Sequence, residues 1–395
     1  MSRSSHGDAV ARLRELASSA GLERVSILAW RDLDDPEAGG SEVHAANVAE
    51  RWAAAGIDIT MRTSYAAGHP QVSHRDGYRV IRKAGRYMVF PRAAFTEMMG
   101  WHGGRDGLVE IWNGMPFFSP LWSRTPHVTW FHHVHAEMWN MTLPPRLATA
   151  GRLLEARIAP KCYRRTPIVT LSESSRRDLV DDLGFSERMV RVVPPGIDRR
   201  FTPGGERSAR PLVVAVGRLV PVKRFEVLIP ILVELKRRVP ELEAVIVGEG
   251  YRREDLEAQI REAGAEGWLA LPGRVTDDAL VDLYRRAWVV ASVSSGEGWG
   301  MTITEAAACA TPAVATRITG HVDAIVDGTT GLLGDGPDEV TDALERVVRD
   351  PDLRHRLSNA ARSNAERYTW EATAEGTLRA LADDARRRRG APHPH

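Results

Sequence analysis

Five short apolar runs organise the second half of the chain: "LVVAVGR" (212–218), "EAVIVGEG" (243–250), "WLALPGR" (268–274), "WVVASVS" (288–294) and "PAVAT" (312–316). Helical patterns lie between them. Strands without polar alternation are buried on both faces, which is the signature of a parallel sheet covered by helices. The first half carries the same rhythm in "RVSILAW" (24–30), "HVTWFHH" (127–133), "TPIVTLS" (166–172) and "VRVVPPGID" (190–198). After the first of these, "SEVHAANVAERWAAAG" reads as a helix with Ser41 as N-cap and Gly56 as its stop. The Gly-, Pro- and Arg-rich stretch "RRFTPGGERSARP" reads as a linker. The expectation is an α/β chain of two doubly wound parallel-sheet domains, 1–203 and 204–367. A helix over 368–389 follows and packs back on the first domain. In such sheets ligands bind beyond the carboxyl ends of the strands, so a cleft between the two domains is the expected site.

Size and composition agree. At 395 residues the chain is too long for one ordinary core and comfortable for two. It is 43% apolar and 27% charged with a net charge of +1, so bulk charge does not mark a nucleic-acid binder. Two distant cysteines, Cys162 and Cys309, suggest neither a disulfide framework nor a metal site. The polar first residues show no signal peptide, and no apolar run is long enough to span a bilayer. The reading is a cytoplasmic protein.

The chemistry concentrates at two strand-to-helix turns. In "SSGEGWGMTITEAAACATP" (294–312), Glu297 and Glu305 flank a turn carrying Gly296, Gly298 and Gly300. Bare backbone lets a ligand approach, and the N–H groups that open the following helix favour an anion. A carboxylate is a poor partner for phosphate but a good two-pronged acceptor for vicinal hydroxyls. In "VAVGRLVPVKRFEVL" (213–228), Arg218 and Lys223 sit at the next such turn. Lys223 and Arg224 fall where a helix begins, against its dipole, a conflict that a bound anion removes. An anionic centre between hydroxyl-rich groups is the outline of a nucleoside diphosphate sugar. Taken alone, the bland readings are a helix-dipole acid, an exposed loop acid and solvated cations. Pro230 should kink the helical pattern it interrupts.

"GEGWGMTITEA", "VGRLVPVK", the "AGGSEVH" loop (38–44) and "DGTTGLL" (327–333) together resemble the retaining GT-B glycosyltransferases of family 4, in order and over almost the whole chain. The resemblance implies two Rossmann-like domains, the donor held mainly by the second and the acceptor by the first. It implies that Arg218 and Lys223 hold the diphosphate and Glu305 the ribose. Glu297 and the backbone of Gly298, Trp299, Gly300 and Met301 would hold the sugar hydroxyls, and Arg274 and Val275 would line the base. Gly39 and Gly40 would face the diphosphate and donor sugar, with His132 near the reacting centre. The implied catalytic set is His132, Arg218, Lys223 and Glu297. In the front-face mechanism usually proposed for the family, the leaving phosphate takes the acceptor's proton, so no side-chain base is required; Arg218 and Lys223 are expected to replace a metal, and no cofactor is expected.

His133 and His135 match nothing in that pattern, and a zinc site there lacks further ligands. The aromatic stretches "FPRAAFTEMMGW" (90–101) and "EIWNGMPFFSPLW" (110–122) read as core, with a greasy acceptor wall or a membrane-facing patch near "RKAGR" (82–86) as the alternative. The four arginines that end 368–389 suit a helix C-terminus and read as a solvated run, or as a peripheral contact with acidic lipid. The resulting expectation is a metal-independent retaining hexosyltransferase using a UDP- or GDP-sugar and a hydroxyl acceptor, soluble or lipid-linked, with no nucleic-acid partner. The rivals are a GT-B sugar-nucleotide epimerase, a silent sugar-nucleotide-binding module and a dinucleotide oxidoreductase. The last is disfavoured because the first strand leads into "WRDLDDPEAGGSE" and not GxGxxG.

Overall fold

The computed structural model describes residues 3–101, 103–135, 139 and 144–390. The chain divides into two compact units, residues 1–196 with 370–395, and residues 197–369. The break falls at Gly196 and not at 203, because the expected linker is already committed to the second unit. Ile197 N–H donates to Tyr368 O at 3.2 Å, and Arg285 Nε donates to Thr202 O at 2.7 Å. Phe201 packs edge-on against Tyr284.

The first unit holds an eight-stranded sheet. Its strands are β1 (Arg24–Leu28), β2 (Asp58–Ser64), β3 (Val72–Arg75), β4 (Tyr78–Ala84), β5 (Gly107–Trp112), β6 (His127–Phe131), β7 (Ile168–Thr170) and β8 (Val190–Val192). The order is β3-β4-β2-β1-β5-β6-β7-β8. Every pairing is parallel except β3 with β4. That hairpin turns through Asp76 and Gly77, both at positive φ (44° and 84°). Asp-Gly is the sequence that tolerates this conformation, which matches strand twist. The helix Trp370–Arg388 belongs to this unit and packs on the helices Arg3–Ser19 and Gly40–Ala54. Trp52 Nε1 donates to Ala374 O at 2.9 Å in that core.

Of the terminal arginines, Arg387, Arg388 and Arg389 are exposed as expected, but the run is also anchored. Arg387 and Arg388 both pair with Asp384, which is 1% exposed, and Arg386 Nη2 donates to Ser19 Oγ at 2.7 Å. Arg388 Nη2 also lies 3.1 Å from His127 Nδ1.

The second unit is a six-stranded parallel sheet. Its strands are β9 (Leu212–Val216), β10 (Glu243–Val247), β11 (Leu269–Gly273), β12 (Val289–Ser292), β13 (Ala313–Thr316) and β14 (Gly331–Gly334). Their order is β11-β10-β9-β12-β13-β14, so the chain reverses direction across the sheet between β9 and β12. Pro230 does lie inside a helix, Phe225–Arg238. Proline removes the N–H that Glu226 O would have accepted. Gln259 Nε2 supplies the missing donor at 2.9 Å.

Candidate functional site

In the second unit the two turns named from sequence meet at the carboxyl ends of β9 and β12, the strands at the reversal. The turn after β9 passes through a short 3₁₀ segment, Pro221–Lys223, and Arg224 at φ 53° opens the next helix. The loop after β12 lies against it: Ser295 N–H donates to Val222 O at 2.9 Å. This contact brings Lys223 to Glu297, and the two form an ion pair. Ser294 Oγ adds a hydrogen bond to Glu297 Oε1 at 2.8 Å. Burial pushes the Glu297 carboxyl up, but the Lys223 charge, the nearby His321 and these hydrogen bonds outweigh it and hold the group at about 2. Glu297 is therefore a fixed carboxylate.

Glu305 is the opposite case. It sits in the helix Met301–Ala308, and Tyr284 Oη donates to its Oε2 at 3.1 Å. Burial dominates, Asp198 and Asp277 add like charge, and its carboxyl is raised to about 7. Two carboxylates eight positions apart thus differ in protonation because only one has a cation against it.

The loop between them is shaped by close backbone packing. Gly300 at φ 99° caps the helix Met301–Ala308 without any side-chain acceptor. Ser172, Thr276 and Asp350, by contrast, cap their helices with side-chain oxygens. An uncapped first turn leaves N–H groups and the positive end of the dipole for an anion. Trp299 is buried, edge-on to Tyr368. Gly320, at φ 84°, approaches so closely that a Cβ there would lie 2.7 Å from Trp299 N and 2.8 Å from Glu297 O.

His321, fully buried, follows it. Its Nδ1 lies 2.9 Å from Thr316 O, which can only accept, so Nδ1 carries the proton; Nε2 then faces Ser292 Oγ at 3.2 Å. Burial lowers its pKa, so it buttresses the loop as a neutral ring. Ser294, Tyr284, Gly320 and His321 were not singled out in the sequence. Only the glycine and histidine of "ITGHVD" (318–323) offered any signal.

Arg218 lies half-buried in the turn after β9, beside Leu219, whose N–H donates to Glu249 O at 2.8 Å. Arg274 and Val275 follow β11, the arginine exposed and the valine half-buried.

The first unit holds the remaining predicted residues. Ser41 is not the N-cap: the helix begins at Gly40 with Gly39 as cap. Glu42 reaches back to accept from Gly39 N–H at 2.8 Å, so the glutamate closes the first turn and Ser41 Oγ instead accepts from Asn113 Nδ2. His132, just beyond β6, lies with Nε2 3.2 Å from Nδ1 of His44 on that same helix. Both rings are buried, and His44 also packs edge-on against Trp130. Burial lowers His44 to about 3 and His132 well below its ordinary value, so the pair is neutral. His133 and His135 stack on one another, ring centroids 4.6 Å apart. Among the described residues no group of three or more His, Cys, Asp or Glu could hold a metal ion.

Residues 197–364 match the family described as "Glycosyl transferases group 1", and residues 38–201 match "Glycosyltransferase Family 4". The D-inositol 3-phosphate glycosyltransferase of Corynebacterium jeikeium (strain K411) is 31% identical over 86% of this chain and 90% of its own length. The chain belongs to the group 1, family 4 glycosyltransferases. Its fold is correspondingly GT-B. Sucrose-phosphate synthase from Thermosynechococcus elongatus superposes with a TM-score of 0.76 at 18% identity, covering 89% of this chain and 96% of the other. HepE from Anabaena, solved in complex with UDP-glucose, gives 0.71 at 17% identity, covering 90% and 98%.

Proposed function

We propose that the enzyme is a retaining hexosyltransferase that moves a hexosyl group from a nucleoside diphosphate sugar to a hydroxyl acceptor. The observation that carries this is the Lys223–Glu297 pair beside a helix N-terminus that no side chain caps. A cation, a fixed carboxylate and unclaimed helix N–H groups suit a diphosphate with a hydroxylated ring at its side. In this reading Arg218 and Lys223 take the diphosphate, Glu305 the ribose, and Glu297 with the backbone of 298–301 the sugar hydroxyls. Arg274 and Val275 lie along the base. His132 and the Gly39–Gly40 loop serve the donor sugar. The donor class is supported by the likeness to HepE, which was solved with UDP-glucose, and a hydroxyl acceptor by the Corynebacterium relative, a glycosyltransferase named for D-inositol 3-phosphate.

The bond from the anomeric carbon to the diphosphate breaks as the acceptor oxygen bonds to the same face. The acceptor's proton passes to the departing phosphate oxygen, so no side-chain base and no metal is used. The chief need is charge stabilisation of the leaving group. A thermal-shift panel of UDP-, GDP-, ADP- and dTDP-sugars identifies the donor, since a ligand at 100 times its dissociation constant stabilises by about 2.7 kcal/mol. Proton NMR of the product then reads the anomeric coupling, with D-inositol 3-phosphate among the acceptors offered. An α-donor should give an α-glycoside, and turnover should survive exhaustive chelation. A β-product, or activity lost on chelation and restored by magnesium, overturns the mechanism. An epimerase, the second reading, would release an altered sugar nucleotide without acceptor.

A further inference from the structure

The helix Val89–Met98 of the first unit is built with two unlike faces. Val89, Phe90, Ala93, Thr96 and Glu97 are buried, and Phe90 packs on Phe117 with ring centroids 4.6 Å apart. On the opposite side Met88, Pro91, Arg92, Phe95, Met98 and Met99 point to solvent at helical spacing. Tyr87 and Trp101 flank the two ends. The exposure is large for apolar side chains: Tyr87 70%, Met88 63%, Phe95 51%, Met98 59% and Trp101 61%. Phe95 and Trp101 are edge-on, 5.5 Å between centroids, which makes one aromatic ridge. Leu121, 66% exposed on the adjoining short helix Ser119–Trp122, extends it. Scattered exposed apolar residues need no explanation, but a contiguous stripe of this kind marks a surface that is covered in use.

The charges say by what. Between residues 83 and 101 every fully exposed charged side chain is basic, Lys83 and Arg92. The acid in that stretch, Glu97, points inward to Arg62 and Arg105. At the rim, Glu37 is held by Arg31 and Arg86. Tyr and Trp at the ends of an apolar stripe, with cations beside it, match the layered chemistry of a bilayer surface: acyl chains, then headgroups, then anionic phosphate. A helix of about 15 Å lies in that plane, far too short to cross it. Among the described residues no helix is long and apolar enough to span.

We propose that this face seats the enzyme on an anionic lipid surface, with Tyr87, Met88, Phe95, Met98 and Trp101 entering the headgroup region and Lys83 and Arg92 meeting lipid phosphates. The contact does not rest on the donor or acceptor assigned above. The proposal does not use the basic C-terminal helix, where Arg387 and Arg388 pair with Asp384 and Arg386 donates to Ser19.

The test is co-sedimentation of the full chain, without substrates, with vesicles of phosphatidylcholine alone and of phosphatidylcholine with phosphatidylglycerol. The protein should bind the anionic vesicles at low salt and weaken as salt rises. F95E/W101E and K83E/R92E change only exposed side chains, so circular dichroism should match wild type. Each should lower the partition coefficient by about tenfold or more. No binding to anionic vesicles overturns the proposal, as does either double variant binding like wild type. A lipid-free dimer seen by light scattering and abolished by F95E/W101E also overturns it, because a second copy would then be what covers the face.

Discussion

Lys223 and Glu297 are each other's counter-ion: the lysine ammonium pairs with Glu297 Oε1, and Ser294 Oγ donates to the same oxygen. A diphosphate arriving at Lys223 competes with that carboxylate. Glu297→Gln should therefore leave nucleoside diphosphate affinity unchanged or tighter, while turnover collapses through loss of the contact to the sugar. Lys223→Ala should weaken the same affinity by about tenfold or more, the size of a charge-assisted hydrogen bond. Calorimetric titration of the diphosphate alongside initial rates separates the two. Parallel loss of affinity in both variants would remove Glu297 from the sugar and make it merely a support for the lysine.

Glu305 gives a pH signature of opposite sign to Glu297. Its carboxyl is raised from 4.5 to about 7 in the fold, so between those values the folded chain binds the extra proton. Stability should fall as pH rises through that window, by ~1–3 kcal/mol in total. Glu305→Gln should lack that slope. Glu297, lowered to about 2, contributes stability that is present above 4.5 and lost on acidifying toward 2. Urea midpoints of wild type and E305Q from pH 4.5 to 7.5 decide it. Identical pH slopes would mean that Glu305 is not desolvated in solution.

The parts visible in the sequence are those where pattern and burial coincide. In the second unit the five expected strands are all present, because they carry almost nothing but apolar side chains. In the first unit β2, β4 and β5 escaped, and the reason lies in particular residues. Arg62, Arg82 and Glu110 interrupt those strands with charge, yet all three are buried. Arg62 pairs with Glu97 and Arg82 with Asp32, while Glu110 accepts from Tyr163 Oη at 2.5 Å and Ser119 N–H at 3.0 Å. A buried ion pair is invisible to a reading of one strand, since its partner lies on another element. The Asp76–Gly77 turn was there to be read. So was β14, hidden because Gly331 and Gly334 weaken a strand signal; a Cβ at Gly331 would meet Ala313 O at 2.4 Å. At the site, the motif residues were legible and their supports were not. Tyr284, Ser294 and His321 act through contacts that only the folded sheet creates.

His44 lies 3.2 Å from His132 and gives that residue a testable partner. His132→Ala should slow transfer strongly and leave nucleotide affinity nearly intact. His44→Phe keeps a ring against Trp130 but removes the nitrogen 3.2 Å from His132 Nε2. It should lower kcat at constant nucleotide affinity and with a normal circular dichroism spectrum. The burial of both rings has a linkage consequence. The unfolded chain takes up protons near 6.5, while His44 in the fold does so only at about 3. Their contribution to stability is thus complete above 6.5 and declines as pH falls below it. An H44F variant that retains wild-type kcat would show that the contact is packing alone.

Asp384 fixes the last helix, and its worth can be separated from that of surface pairs nearby. It is 1% exposed and accepts from His127 N–H at 2.9 Å and Arg388 Nε at 2.7 Å, with Arg387 as a further partner. Asp384→Ala leaves a buried backbone N–H at the start of β6 without its acceptor and two guanidinium groups without their anion. The cost should be about 2–4 kcal/mol. Glu375 lies on the same helix and pairs with Arg12 and Arg379, whose side chains are 55% and 57% exposed. Solvent screens those pairs, so Glu375→Ala should cost less than about 1 kcal/mol. Amide hydrogen exchange across Trp370–Arg388 reads both. Protection should fall sharply in D384A, including at Ala374, whose carbonyl holds Trp52, and scarcely at all in E375A. Equal losses in the two variants would mean that the helix is held by its apolar face alone, with the arginine clamp contributing nothing beyond solubility.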